Sequence, residues 1–257
     1  MSRLFDRYDG PALTRLFEEA GVLGALRAKG FSGFDVAVEA SGLALPHVRL
    51  RADKAGQSHL LLDACLRRVI VAEHQLRQSG LTVAGPLDAL LVHWVREEDP
   101  TAAFGRDRPP LLLQVHPGLG VLRQAFRVAL RIAADLGVDG VANQPKFFHD
   151  AVIFQRSRLF LFLDGGEQGR FEALRRDLNA LPLRDASLAV AGWCIRDECG
   201  RVLHWDPGYL MFPLSARLTE HFHSARYAAD VAAARQASRF RVNGEGFASL
   251  RAWRRRT

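Results

Sequence analysis

Apolar residues recur every three or four positions from Pro11 to Lys29, with Leu13, Leu16, Phe17 and Ala20 on one side. This spacing predicts an amphipathic helix with Pro11 in its first turn and Gly30 and Gly33 beyond its end. Three strand-like runs follow, Phe34–Ala40, Val48–Asp53 and Ser58–Leu66. The last two are joined by Lys54-Ala55-Gly56-Gln57, a hairpin turn in which Gly supplies a positive φ. Arg49 and Arg51 alternate with Val48, Leu50 and Ala52, so this hairpin has one wet face. Val69–Gln78 fits a strand that passes into a helix, and its pattern does not decide between them.

The stretch 86–164 carries the most order. Leu87–Val95 is strongly apolar, and Arg96–Pro110 is charged and loop-like with three prolines. Leu111–Val115 is too short for a helix and predicts a buried strand. His116-Pro117-Gly118-Leu119-Gly120 leads into a helix, Val121–Leu136, which Gly137 ends. Val138–Ala142 predicts a second strand, Pro145–Phe154 a short helix and Leu159–Leu163 a third strand. Strand, glycine turn, helix and strand make a βαβ unit with parallel pairing. Beyond it, Glu167–Leu181 predicts an amphipathic helix, and Ser187–Arg196 with Arg201–Trp205 a hairpin. Asp206-Pro207-Gly208 predicts a turn, and a final helix, Ala216–Gln236, is capped by Ser215. The expected class is α+β: a mixed central sheet holding the βαβ unit, with an N-terminal helix and hairpin and a C-terminal hairpin and helix. A single domain is expected, with 1–85 as helix and antiparallel strands, 86–164 as core, 165–236 as helix, hairpin and helix, and 237–257 as a basic tail.

Composition narrows the class. The 257 residues are 48% hydrophobic with 22 Gly and 11 Pro, which suggests neither disorder nor a fibrous repeat. No apolar run reaches the roughly 18 residues of a membrane span, and MSRLFDRYDG lacks a signal-peptide core. A cytoplasmic protein without a membrane span is the expectation. Three cysteines (Cys65, Cys194, Cys199) leave one unpaired in any disulfide scheme, so free thiols are expected. The net charge of +7 is local: residues 235–257 hold seven Arg against Glu245, and residues 1–234 carry only +1. A nucleic-acid-binding domain should instead show a basic face on its folded body, which argues against that partner.

Gly118 and Gly120 admit backbone angles closed to other residues and lack side chains that would block a ligand. A helix starting at 121 points free N–H groups at that opening, which suits a phosphate. The same string also fits a plain tight turn. Arg123 stands where a dinucleotide-binding fingerprint needs Gly, and no Gly-Lys-Ser/Thr occurs. The order Leu112-Leu113-Gln114-Val115-His116-Pro117, Gly118-Leu119-Gly120, helix, Gly140-Val141-Ala142, Asn143 resembles the GNAT N-acyltransferase superfamily over 111–164.

That resemblance implies an acyl-CoA cofactor, its pyrophosphate held by backbone amides around Gly118–Leu122. The implied contacts are Val115, Gly118, Leu119, Gly120, Val121, Leu122 and Asn143, with a small-molecule or amine substrate. The chain departs from the family pattern at Val115, where Gln or Arg is usual, and at Phe154, where a tyrosine is usual. The loop before the glycines is also short. Acyl transfer needs a base for the amine, and His116 or His149 titrates in the right range. Glu97 or Glu98 would orient the amine. The alternative for each His is a hydrogen-bonded structural role, and for Glu97-Glu98-Asp99 a solvated run. His221 and His223 lie about 200° apart on a helix, and no other ligand set is present, so no metal is expected. A non-catalytic binding or assembly protein of the same fold, or a nucleic-acid-associated protein working through Arg251–Arg256, are the other readings.

Overall fold

A computed structural model describes residues 2–39, 45–72, 76, 85–105, 109–156 and 160–254. The chain is α+β and divides into two compact units, each assembled from separated segments.

The first unit comprises 1–70, 87–110 and 114–143. Helix α1 (Gly10–Glu19) starts where the Asp9 carboxylate accepts the Ala12 N–H at 3.0 Å, and it buries Leu13 and Phe17. The expected continuous helix to Lys29 is broken, because Gly21 takes a φ of 82° and opens α2 (Val22–Arg27). Strands β1 (Ser32–Glu39), β2 (His47–Lys54) and β3 (Gln57–Val71) pair antiparallel in sequence order. Between β2 and β3 both Ala55 and Gly56 have positive φ, 52° and 76°, the twist that a two-residue hairpin favours. The Val69–Gln78 question is settled only as far as Val71, where β3 ends; most of 73–78 lies outside the described residues.

Strand β4 (Leu87–Glu97) follows, and helix α3 (Leu122–Leu136) leads to β5 (Gly140–Asn143). β4 and β5 are parallel neighbours, with Ala89 beside Gly140 and Val92 beside Asn143. A parallel strand–helix–strand unit is therefore present, but its first strand is β4. The expected strand Leu111–Val115 does not form: Leu113 sits at a φ of 60°, and Leu113 and Val115 are 73% and 66% exposed. Pro109 and Pro110 before it and Pro117 after it have no N–H to give a ladder. β4 in turn buries Leu87, Ala89, Leu90, Leu91 and Val92, and burial of one Leu is worth about 2 kcal/mol.

The second unit comprises 71–86, 111–113 and 144–257. It contains α4 (Phe148–Gln155), β6 (Leu161–Phe162), α5 (Gly165–Asp177), α6 (Leu183–Ala191) and β7 (Ile195–Asp197). β8 (Leu210–Pro213), α7 (Ala216–His223), α8 (Ala225–Ala237), β9 (Phe240–Val242) and α9 (Gly244–Arg254) complete it. β6 pairs antiparallel with β8, and β7 with β9.

The hairpin expected from Ser187 is corrected. Ala186, Leu188, Ala189 and Val190 are buried on α6, and only an isolated Arg196–Val202 bridge remains of the hairpin. A short apolar run of this kind reads equally as strand or helix until its packing is known. Ser215 does cap α7, accepting the Leu218 N–H at 3.4 Å. The last helix is interrupted at Ser224, whose extended ψ of 146° ends α7 and whose hydroxyl caps α8 at Tyr227. Through 254 the expected basic tail is structured, as β9 and α9.

Candidate functional site

Helix α3 has no cap of its own. Val121 at its N-cap supplies no side-chain hydrogen bond, and its first turn holds no acid. Its unpaired amides and the positive end of its dipole need an acceptor from elsewhere. The chain supplies one from the end of β4. Asp99 donates its N–H to the Pro117 carbonyl at 2.7 Å, and Val115 donates to Glu98 Oε1 at 3.2 Å. These bonds lay the 115–120 segment along the β4 terminus. Glu97 Oε1 then accepts the Gly120 N–H at 3.2 Å.

Burial pushes the Glu97 carboxyl up to about 7, against the downward pull of the Val121, Gly120 and Leu122 amides and of Lys29. Its Oε2 is buried with no hydrogen-bond partner. Gly120 uses its conformational freedom, at a φ of 73°, while Gly118 does not take a positive φ.

The donors that the sequence offered to a phosphate are thus directed at a carboxylate of the chain itself. Leu119 and Val121 are buried, at 0% and 1% exposure, so their side chains belong to the core. A pyrophosphate in the same place would lie against the Glu97 carboxyl, which already accepts the Gly120 N–H. The contacts that the resemblance implied, Gly118, Leu119, Gly120, Val121 and Leu122, therefore lie beside a carboxyl of the chain itself.

The other expected residues fall as follows. Val115 stands in a loop rather than on a strand edge, and His116, half-buried, follows it in that loop. Asn143 ends β5, where its Nδ2 donates to the Val92 carbonyl at 3.0 Å and its Oδ1 is buried without a partner. β4 continues five residues past this pair, roughly 16 Å of strand, to Glu97. His149 belongs to the second unit and is not an exposed base. It is 6% exposed, its Nδ1 lies 2.7 Å from Ser187 Oγ, and its ring stacks on Phe147. Burial lowers its pKa, so the neutral ring is favoured. Phe154, where the resemblance would place a tyrosine, packs edge-on to Phe160 with centroids 5.1 Å apart.

Sequence reasoning missed a cavity of about 470 Å³ in the second unit. Asp164, Glu167, Arg170, Phe171, Trp205 and Asp206 are among its lining residues. Asp164 caps α5 by accepting the Glu167 N–H at 2.7 Å, and Glu167 Oε1 accepts the Gly208 N–H at 2.6 Å. Burial, then the charges of Asp164 and Asp206, push Glu167 up to about 7, with the Gly208 bond and Arg170 opposing. The string Asp164-Gly165-Gly166-Glu167 carries the cap signature, an Asp followed three residues later by Glu. Nothing local to it announces Trp205 or Gly208, some forty residues on.

Among the described residues no three His, Cys, Asp or Glu side chains converge as metal ligands would, and no helix is long and apolar enough to cross a membrane. Comparison with protein-family models, with curated proteins and with solved structures finds no match to this chain.

Proposed function

We propose that the chain is a non-catalytic binding protein built on an acyltransferase-like strand–helix–strand unit, in which a carboxylate has replaced the coenzyme's phosphates. One observation carries this reading: Glu97 Oε1 accepts the Gly120 N–H at the start of α3. Phe154, which has no proton to donate, and His149, buried and engaged by Ser187 Oγ, support it.

The test is a thermal-shift series with CoA, acetyl-CoA and a longer acyl-CoA, joined to thiol-release assays over a panel of amines. No stabilisation and no release of CoA thiol are expected. A ligand at about 100 times its dissociation constant adds about 2.7 kcal/mol, so a coenzyme that binds is easily seen.

A second reading, an acyl-CoA-dependent N-acyltransferase with Glu97 as the base, draws on the carboxyl's position near neutrality. Stabilisation by acyl-CoA together with thiol release that Glu97→Gln abolishes would select it over the first.

A further inference from the structure

The second-unit cavity is of a size that holds a small molecule, and its walls combine aromatic faces with carboxylates. Phe162, Phe171 and Trp205 provide the apolar side; Phe171 and Trp205 lie 6.2 Å apart between ring centroids. Trp205 is held in place by donating its Nε1–H to the Pro145 carbonyl at 3.1 Å, and by an edge contact with Phe148. These contacts fix the wall before any ligand arrives, which lowers the cost of binding.

The polar side is unbalanced. Asp164, Glu167 and Asp206 face one cation, Arg170, and among the described residues none of the three carboxylates has an ion pair. The N-terminus of α5 does not make the site attractive to anions, because Asp164 already accepts the Glu167 N–H there. The carboxylates do not gather as metal ligands. What remains unmet is a positive charge on a body that can lie against rings, and ring faces attract such a charge as well.

We propose that this cavity binds a small organic cation, an ammonium group on an aromatic or compact apolar body, with the cationic head at Glu167 and Asp206 and the body against Phe171 and Trp205. The inference uses the second unit alone and stands whether or not Glu97 excludes a coenzyme.

The full chain is titrated by calorimetry with 2-phenylethylamine, 2-phenylethanol and 3-phenylpropanoate, which share a ring and chain and differ in charge. The amine is expected to bind with a dissociation constant near or below about 1 mM, the alcohol about tenfold more weakly, and the carboxylate more weakly still. Asp206→Asn, at an exposed side chain, and Glu167→Gln are each expected to weaken the amine about fivefold or more while circular dichroism is unchanged. The alcohol or carboxylate binding as well as the amine would overturn the proposal. So would no amine binding at about 10 mM, or full affinity in Asp206→Asn. Stabilisation by calcium chloride without amine binding would overturn it in favour of a metal.

Discussion

Glu97 and Gly120, 23 residues apart, meet at 3.2 Å where the end of β4 reaches the start of α3. A helix whose own first turn lacks an acid and a polar cap obtains both from the strand before it. The contact is a compromise. A carboxylate at a helix N-terminus is worth about 0.3–1 kcal/mol exposed and up to about 2 when partly buried. Burial charges it for lost solvation, and the group's rise to about 7 says that desolvation outweighs the amides and Lys29 together.

A pH dependence follows. The folded-state value of about 7 lies above the roughly 4.3 of an unfolded Glu, so the folded chain holds this proton more tightly. Its contribution to stability is complete below about pH 4.3, declines as pH rises through the window, and is gone above about 7. The ceiling is about 4 kcal/mol, less whatever water still screens. Glu97→Gln cannot ionise, so it should gain on the wild type between about pH 5 and pH 8 when urea midpoints are compared. Parallel profiles for the two proteins would mean that Glu97 titrates as it does in water.

Helix α5 crosses α8 at Gly169, where there is no room for a side chain. A Cβ there would overlap the Val231 carbonyl oxygen and lie 2.9 Å from Ala234 Cβ and the Arg235 nitrogen. Two of these three neighbours are backbone, which cannot rotate away. Gly169→Ala gains about 1 kcal/mol of helix propensity, and overpacking of about 3 kcal/mol against two backbone atoms should more than cancel it, for a net loss of about 2 kcal/mol. Denaturant unfolding would check this, and a variant as stable as wild type would show that the helices can part without cost.

The Tyr227 hydroxyl donates to the Phe162 carbonyl at 2.7 Å, tying α8 to β6. Burial and the nearby Glu172, Asp164 and Glu167 charges raise its pKa, so it stays protonated throughout the working range. Tyr227→Phe keeps the ring against His221 and Phe222 and removes only the bond. A loss of about 1 kcal/mol is expected. No change in the unfolding midpoint would mean that water replaces the hydroxyl at no cost.

The first three strands and α3 were legible because each carries its own period: alternation in Val48–Asp53, 3.6 spacing in 122–136, and a Gly at φ 66° to end the helix. The parallel unit was legible as a type but not in its parts. Leu111–Val115 and Leu87–Val95 are both apolar runs, and only the second is buried, a fact fixed by packing rather than by pattern. The glycine pair read correctly as the opening of a helix, since Gly120 adopts φ 73°. That Glu97 would fill it depends on a loop of some twenty residues folding back, which no local rule encodes. The Glu167 cavity was hidden for the same reason, since its carboxylate, rings and Gly208 come from segments far apart in the chain.

The arginine-rich end also reads differently once folded. Expected as a loose tail, it contributes β9, which pairs Val242 with Ile195, and α9, which buries Phe247. Asn243 donates its N–H to the Cys194 carbonyl at 2.7 Å, and Leu250 packs so closely on Gly192 that a Cβ there would require the Leu250 side chain to move. Arg251 lies 3.8 Å from Asp185 and over the Phe247 ring. Deleting 239–257 therefore removes part of the second unit as well as charge, and a loss of nucleic-acid binding in that variant would prove nothing about the arginines.

Thiol chemistry distinguishes the two pictures. Cys199 is exposed, while Cys65 and Cys194 are buried and their thiols are raised by burial. A disulfide reagent should find one fast thiol in the intact chain, because the thiolate is both scarce and covered at the other two. Deletion of 239–257 should expose Cys194 as a second fast thiol and lower the melting temperature by roughly 5 °C, for about 2 kcal/mol of lost apolar burial. A single fast thiol and an unchanged melting temperature after deletion would mean that β7 and Cys194 are covered without β9, and the segment would again be a tail.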